Sequence, residues 1–91
     1  MAYSREEAVE AARKDLAGRL GVSESEVAEG SVEEADFPDA ALGAPTKGEM
    51  SAMMITPGWR IRLKAGAHSY EYRADERQLR LCGFKGKNYR I

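Results

Sequence analysis

Val9, Ala12, Leu16 and Leu20 recur every three to four residues, which lines them up as a narrow stripe on one face of an α-helix. Ser4 and Glu7 precede the stripe at the spacing of a capping box, in which side chain and backbone satisfy each other at a helix start. Glu10 and Lys14, four apart, stand in the favourable orientation for an ion pair. Gly21 follows where a left-handed residue commonly ends a helix. A helix over 4–20 is predicted. Val22-Ser23 with Glu26-Val27 repeats the start signal, with Val22 and Val27 as a hydrophobic staple, and is enough to open one further turn.

The period then changes. Residues 27–37 carry Val27, Val32, Ala35 and Phe37 among four acidic residues, a solvated strand with a bulge expected at Gly30. Residues 38–49 mix Gly, Pro, Ala and Asp without helical or strand periodicity and read as a loop that is long for so small a domain. Residues 50–56 read as a strand that Pro57-Gly58 bends or breaks. Trp59, Ile61 and Leu63 then alternate with Arg60, Arg62 and Lys64, and Tyr70, Tyr72 and Ala74 alternate with Ser69, Glu71 and Arg73. Gly66-Ala67 suits a two-residue hairpin loop. Leu63 would then pair with Tyr70 and Ile61 with Tyr72 on the core face, with Arg62 opposite Glu71 and Arg60 opposite Arg73 on the other. Residues 78–82 form a further strand with Leu79 and Leu81 inward and Arg80 outward beside Glu71, after a turn at Asp75-Glu76 that lacks the usual Gly or Asn.

The expected architecture is α+β: an N-terminal helix across one face of a four-stranded antiparallel meander. Residues 1–82 make a single domain and 83–91 a basic C-terminal tail. The sheet face away from the helix is expected to be solvated and to carry Arg60, Arg62, Lys64, Arg73 and Arg80 against Glu71.

Composition narrows the function classes. Ninety-one residues make one small domain. One Cys and one His exclude an internal disulfide framework and a Cys₂His₂ or Cys₄ zinc site. No apolar run approaches the ~20 residues that span a bilayer, and the charged N-terminus lacks a signal-peptide core. The cytoplasm is the expected compartment. Charge is divided unevenly: residues 1–45 hold four Lys/Arg against eleven Asp/Glu, a balance of −7, and residues 46–91 hold ten against four, a balance of +6. Either the two halves pack together and neutralise each other, or one surface is kept basic for an anionic partner.

Candidate chemistry is sparse. His68 is the one imidazole and falls at the hairpin turn, beside Ser69; Cys82 is placed opposite Ser69, with Arg80 two residues away. Neither builds a nucleophile, base and orienter. Glu33 and Glu34 face opposite ways on a strand. Gly83-Phe84-Lys85-Gly86-Lys87 lacks the spacing of a phosphate-binding Walker loop and follows a strand, unlike the loop of a KH domain. The basic face could hold phosphates, yet Trp59, Tyr70 and Tyr72 fall on the core side and leave it without a stacking platform. Met50, Met53 and Met54 cluster after the long loop, as core filling or as an adaptable binding surface.

Four short motifs add a resemblance. Phe37-Pro38-Asp39, Leu42-Gly43-Ala44-Pro45, Thr56-Pro57-Gly58-Trp59-Arg60-Ile61 and Tyr70-Glu71-Tyr72 together resemble a family of small prokaryotic proteins of unknown function, over residues 8–82. The resemblance implies a cystatin-like fold and no particular activity, cofactor or catalytic residue. It also implies cysteines at the positions of Ala44 and near Cys82; this chain has only the second, so a looser 38–49 loop is expected.

The expected function is non-enzymatic binding of a protein or peptide through the 42–58 region, with Leu42, Pro45, Met53, Pro57 and Gly58 as contact residues and an inhibitor-like role as one version. The alternative is nucleic-acid or anionic-ligand binding through Arg60, Arg62, Lys64, Arg73 and Arg80. No metal, cofactor or membrane partner is expected, and the chain is expected to be a monomer or weak dimer.

Overall fold

The computed structural model describes residues 2–91. Helix α1 spans Arg5–Leu20. Ser4 Oγ accepts from the Glu7 N–H at 3.1 Å while Glu7 Oε1 accepts from the Ser4 N–H at 2.9 Å, so the capping box closes in both directions. Gly21 ends the helix at φ 69°, a conformation that costs a residue without a Cβ little. Glu10 approaches Arg13, at 3.7 Å, rather than Lys14, and the four-spaced pair is instead Asp15 with Arg19 at 2.7 Å. A single 3₁₀ turn at Glu24–Glu26 occupies the second predicted start.

Five strands follow: β1 (Val27–Phe37), β2 (Thr56–Ala65), β3 (His68–Ala74), β4 (Leu79–Phe84) and β5 (Lys87–Arg90). They form one antiparallel sheet in the order β1-β2-β3-β4-β5. The β2–β3 register matches the expected hairpin, with Leu63 opposite Tyr70, Ile61 opposite Tyr72 and Arg62 opposite Glu71. The β1–β2 register slips between Glu29 and Ser31, where the bulge was expected.

The sheet has five strands rather than four, because residues 83–91 are not a tail. Lys85 and Gly86, at φ 51° and 81°, form a two-residue turn that returns the chain alongside β4. Tyr89 packs against the core, and the Arg19 guanidinium lies 4.4 Å from its ring centre. Residues 50–55 are outside the sheet: β1 ends opposite Thr56, so the preceding residues have no neighbouring strand. Pro57 and Gly58 lie within β2 instead of breaking it. β3 reaches only as far as Trp59, so Pro57 is flanked by a strand on one side and its missing N–H is tolerated. The β3–β4 turn spans 75–78, where Asp75 Oδ1 accepts from the Arg77 and Gln78 N–H groups at 2.7 and 3.0 Å. That longer turn sets Arg80 opposite Arg73, and Cys82 opposite Glu71 rather than Ser69.

Both faces of the sheet are covered in part. On one, Ala8, Ala12 and Leu16 of α1 pack with Ile61, Leu63, Tyr72, Leu79 and Leu81. Tyr72 Oη donates to Asp15 Oδ2 at 2.7 Å; burial first, and that bond second, raise the phenol well above its ordinary range. The other face is not the solvated surface expected from the alternation. Residues 38–49 lie against it as a strap, burying Ala41, Leu42 and Ala44 with Phe37 apart from the helix-side core. The strap carries no cysteine, and polar ties hold it along its length.

Candidate functional site

The strap sets what is left exposed. Arg80 is 2% exposed and grips Glu49 with two nitrogens, at 2.6 and 2.8 Å, while its Nη1 also donates to the Ala44 carbonyl at 3.3 Å. The Glu49 carboxyl is lowered from 4.5 to about 2, first by the Arg80 hydrogen bonds and next by the Thr46 N–H. Arg73 Nη1 donates to the Leu42 carbonyl at 3.0 Å and Arg73 Nε to Glu71 at 2.7 Å. Gln78 reaches the Ala40 carbonyl at 2.8 Å, and Asn88 the Pro45 carbonyl at 2.9 Å. Arg60 pairs with Glu33 at 3.2 Å and lies over the Phe37 ring with Arg73.

The five basic residues therefore do not form one open surface. Arg73 and Arg80 hold the strap, and Arg60 is drawn to Glu33 and Glu71. Arg62 and Lys64 remain exposed, Arg62 within 3.8 Å of Glu71. The alternation in β2, β3 and β4 placed these side chains on the correct face; it could not show that a loop elsewhere in the chain covers it.

Beyond the strap the chain turns apolar and exposed. Met50, Met53, Met54 and Ile55 are 96%, 84%, 58% and 72% exposed. One backbone bond, from the Ala40 N–H to the Ala52 carbonyl at 2.9 Å, ties this segment to the strap. Exposed apolar side chains concentrated in six residues are unlike the scattered single ones of an ordinary surface. The segment leads into a groove on the helix side of the sheet. Met54, Ile55, Thr56, Pro57 and Trp59 line one depression with Asp75, Glu76 and Arg77. Glu34, Ala35, Asp36 and Gly58 line a second, which shares Pro57 and Trp59 with the first.

The five residues expected to meet a partner are thus dispersed. Pro57 and Gly58 line the groove, and Met53 projects from the adjoining segment. Leu42 is fully buried beneath the strap, where it anchors the loop, and Pro45 is exposed near β5. Trp59 and Ile55 were absent from the expected set. The strand alternation assigned Trp59 to the core, and it is partly buried there, yet its position at the end of β2 also leaves it lining both depressions.

His68 is exposed at the start of β3, opposite Ala65, and Cys82 is partly buried. Among the described residues no three His, Cys, Asp or Glu side chains group as metal ligands, and no helix is long and apolar enough to cross a membrane. No curated protein and no solved structure matches the chain. The model of one family, Domain of unknown function (DUF8738), matches residues 9–82, and the chain belongs to that family.

Proposed function

We propose that this domain is a non-enzymatic module that binds a protein or peptide through residues 50–58. The exposed run Met50, Met53, Met54 and Ile55 beside the Trp59 groove carries the proposal. Thioether side chains are flexible and polarizable, so they adapt to differently shaped apolar partners. Burying an exposed Met or Ile fully yields about 1.5–3 kcal/mol, so two or three of them supply a useful fraction of a micromolar affinity. We read the fold as cystatin-like, a helix laid across an antiparallel meander, acting as a cytoplasmic monomer or weak dimer. In an inhibitor-like version, the partner is a protease cleft that receives the 50–55 segment.

A random-peptide display selection on the immobilised domain tests this. Enriched peptides should be rich in apolar residues and should lose binding to Met53→Asp/Met54→Asp while keeping it with Arg62→Glu/Lys64→Glu. All four substituted side chains are exposed, so thermal unfolding should show both variants folded. Ligands that ignore the Met variant, fail with the Arg/Lys variant and weaken steeply with salt would overturn the proposal in favour of an anionic ligand.

A further inference from the structure

Strand β1 is an edge of the sheet, and its outer side is only partly satisfied. Arg13 Nε donates to the Val27 carbonyl at 3.2 Å, and Arg5 Nη2 to the Val32 carbonyl at 3.4 Å. Both carbonyls therefore point away from β2, towards the helix side chains. In an antiparallel pair the outward-pointing residues alternate, and a bulge shifts the phase by one. Val27 before the bulge and Val32 after it fit that pattern, which carries on to Glu34 and Asp36. The N–H and C=O of these two residues face outward, and among the described residues no arginine donates to their carbonyls. The same phase places Asp36 opposite Pro57 and Glu34 opposite Trp59, so the open backbone runs along the rim of the groove.

We infer that the open edge of β1 at Glu34–Asp36 takes an extended basic peptide segment as an added strand. The inference rests on the binding role proposed for residues 50–58 and specifies the partner's conformation and charge. Backbone pairing supplies affinity in strand addition, and side chains at alternate positions supply selectivity. Glu34 and Asp36 are exposed and belong to no ion pair among the described residues, so Lys or Arg at alternate positions of the incoming strand complements them. Two copies meeting β1 to β1 would oppose these carboxylates to each other, which disfavours a symmetric self-pair.

The test uses a capped Lys-Val-Lys-Val-Lys-Val peptide and amide exchange followed by NMR on the whole domain. The peptide should slow exchange at the Glu34 and Asp36 amides, and a Glu-Val-Glu-Val-Glu-Val control should not. Glu34→Lys/Asp36→Lys should weaken the basic peptide by about tenfold or more. Slowed exchange at these amides supports the edge even where Met53→Asp/Met54→Asp leaves affinity unchanged, a result that would instead remove the Met segment from the site. Binding without slowed exchange at Glu34 and Asp36 overturns the edge inference and leaves the role of residues 50–58 standing. Concentration-dependent self-association that protects the same amides and is lost in Lys87→Glu/Arg90→Glu overturns it in favour of β5 from a second copy.

Discussion

At the scale of single residues, two partly buried polar contacts join elements far apart in sequence. Tyr72 Oη reaches from β3 to Asp15 on α1, and the carboxylate also receives Arg19. Tyr72→Phe keeps the ring and removes one charge-assisted hydrogen bond, so about 1.5 kcal/mol of stability should be lost in urea unfolding. Arg80 with Glu49 is the second. The Glu49 carboxyl titrates lower in the folded chain, at about 2, than its ordinary 4.5. Its contribution is therefore complete above pH ~4.5 and is withdrawn as pH falls towards 2. The stability gap between wild type and Glu49→Gln should close over that interval, measured by denaturant unfolding at a series of pH values. Arg80→Ala leaves the Glu49 carboxylate without its partner at neutral pH and should cost about 3 kcal/mol. Neither contact was legible beforehand. Alternation set Tyr72 inward and Arg80 outward, but naming their partners requires knowing which distant segment lies over each face.

At the scale of elements, legibility followed locality. The capped helix, the Gly30 bulge and the β2–β3 register all depend on neighbours close along the chain, and all were readable. The β5 hairpin was equally local and was still missed. Lys85-Gly86 carries the turn signal, but the strand that follows is only four residues long, too short for its alternation to stand out. Residues 50–56 show the opposite failure, since an apolar run reads as a strand whether or not a neighbour exists to pair with it. Pro57-Gly58 looked like a break because the edge position that tolerates the proline depends on where β3 stops. Gly58 is required for a different reason: a Cβ there would collide with the Ala74 carbonyl oxygen, and would press on the Phe37 ring at 3.2 Å. Gly58→Ala should therefore cost about 3 kcal/mol in thermal or urea unfolding, although its backbone lines the groove.

At the scale of the whole molecule, the charge asymmetry is partly consumed by folding. Acidic β1 pairs with basic β2, and Glu33 meets Arg60 across them. Glu49, among the few acids of the basic half, neutralises Arg80 under the strap. Arg62 and Lys64, Glu34 and Asp36, and the Met50–Ile55 segment are among what stays exposed after folding. A stripe of alternating Arg and Lys gave no sign of the strap, so the basic face looked larger in sequence than it is in three dimensions. Composition marks the Met segment in the sequence, while its exposure follows from the absence of a strand beside it. Trp59 is the only tryptophan and lines both depressions, which makes its fluorescence a reporter of the groove.

The most direct measurement is a Trp59 fluorescence titration with a tryptophan-free apolar peptide taken from the display selection, on wild type and on the two double variants. The expected result is a blue-shifted emission on wild type and on Arg62→Glu/Lys64→Glu at similar affinity, with at least about tenfold weaker binding by Met53→Asp/Met54→Asp. Unchanged affinity in the Met variant together with loss in the Arg/Lys variant would contradict a binding surface at residues 50–58.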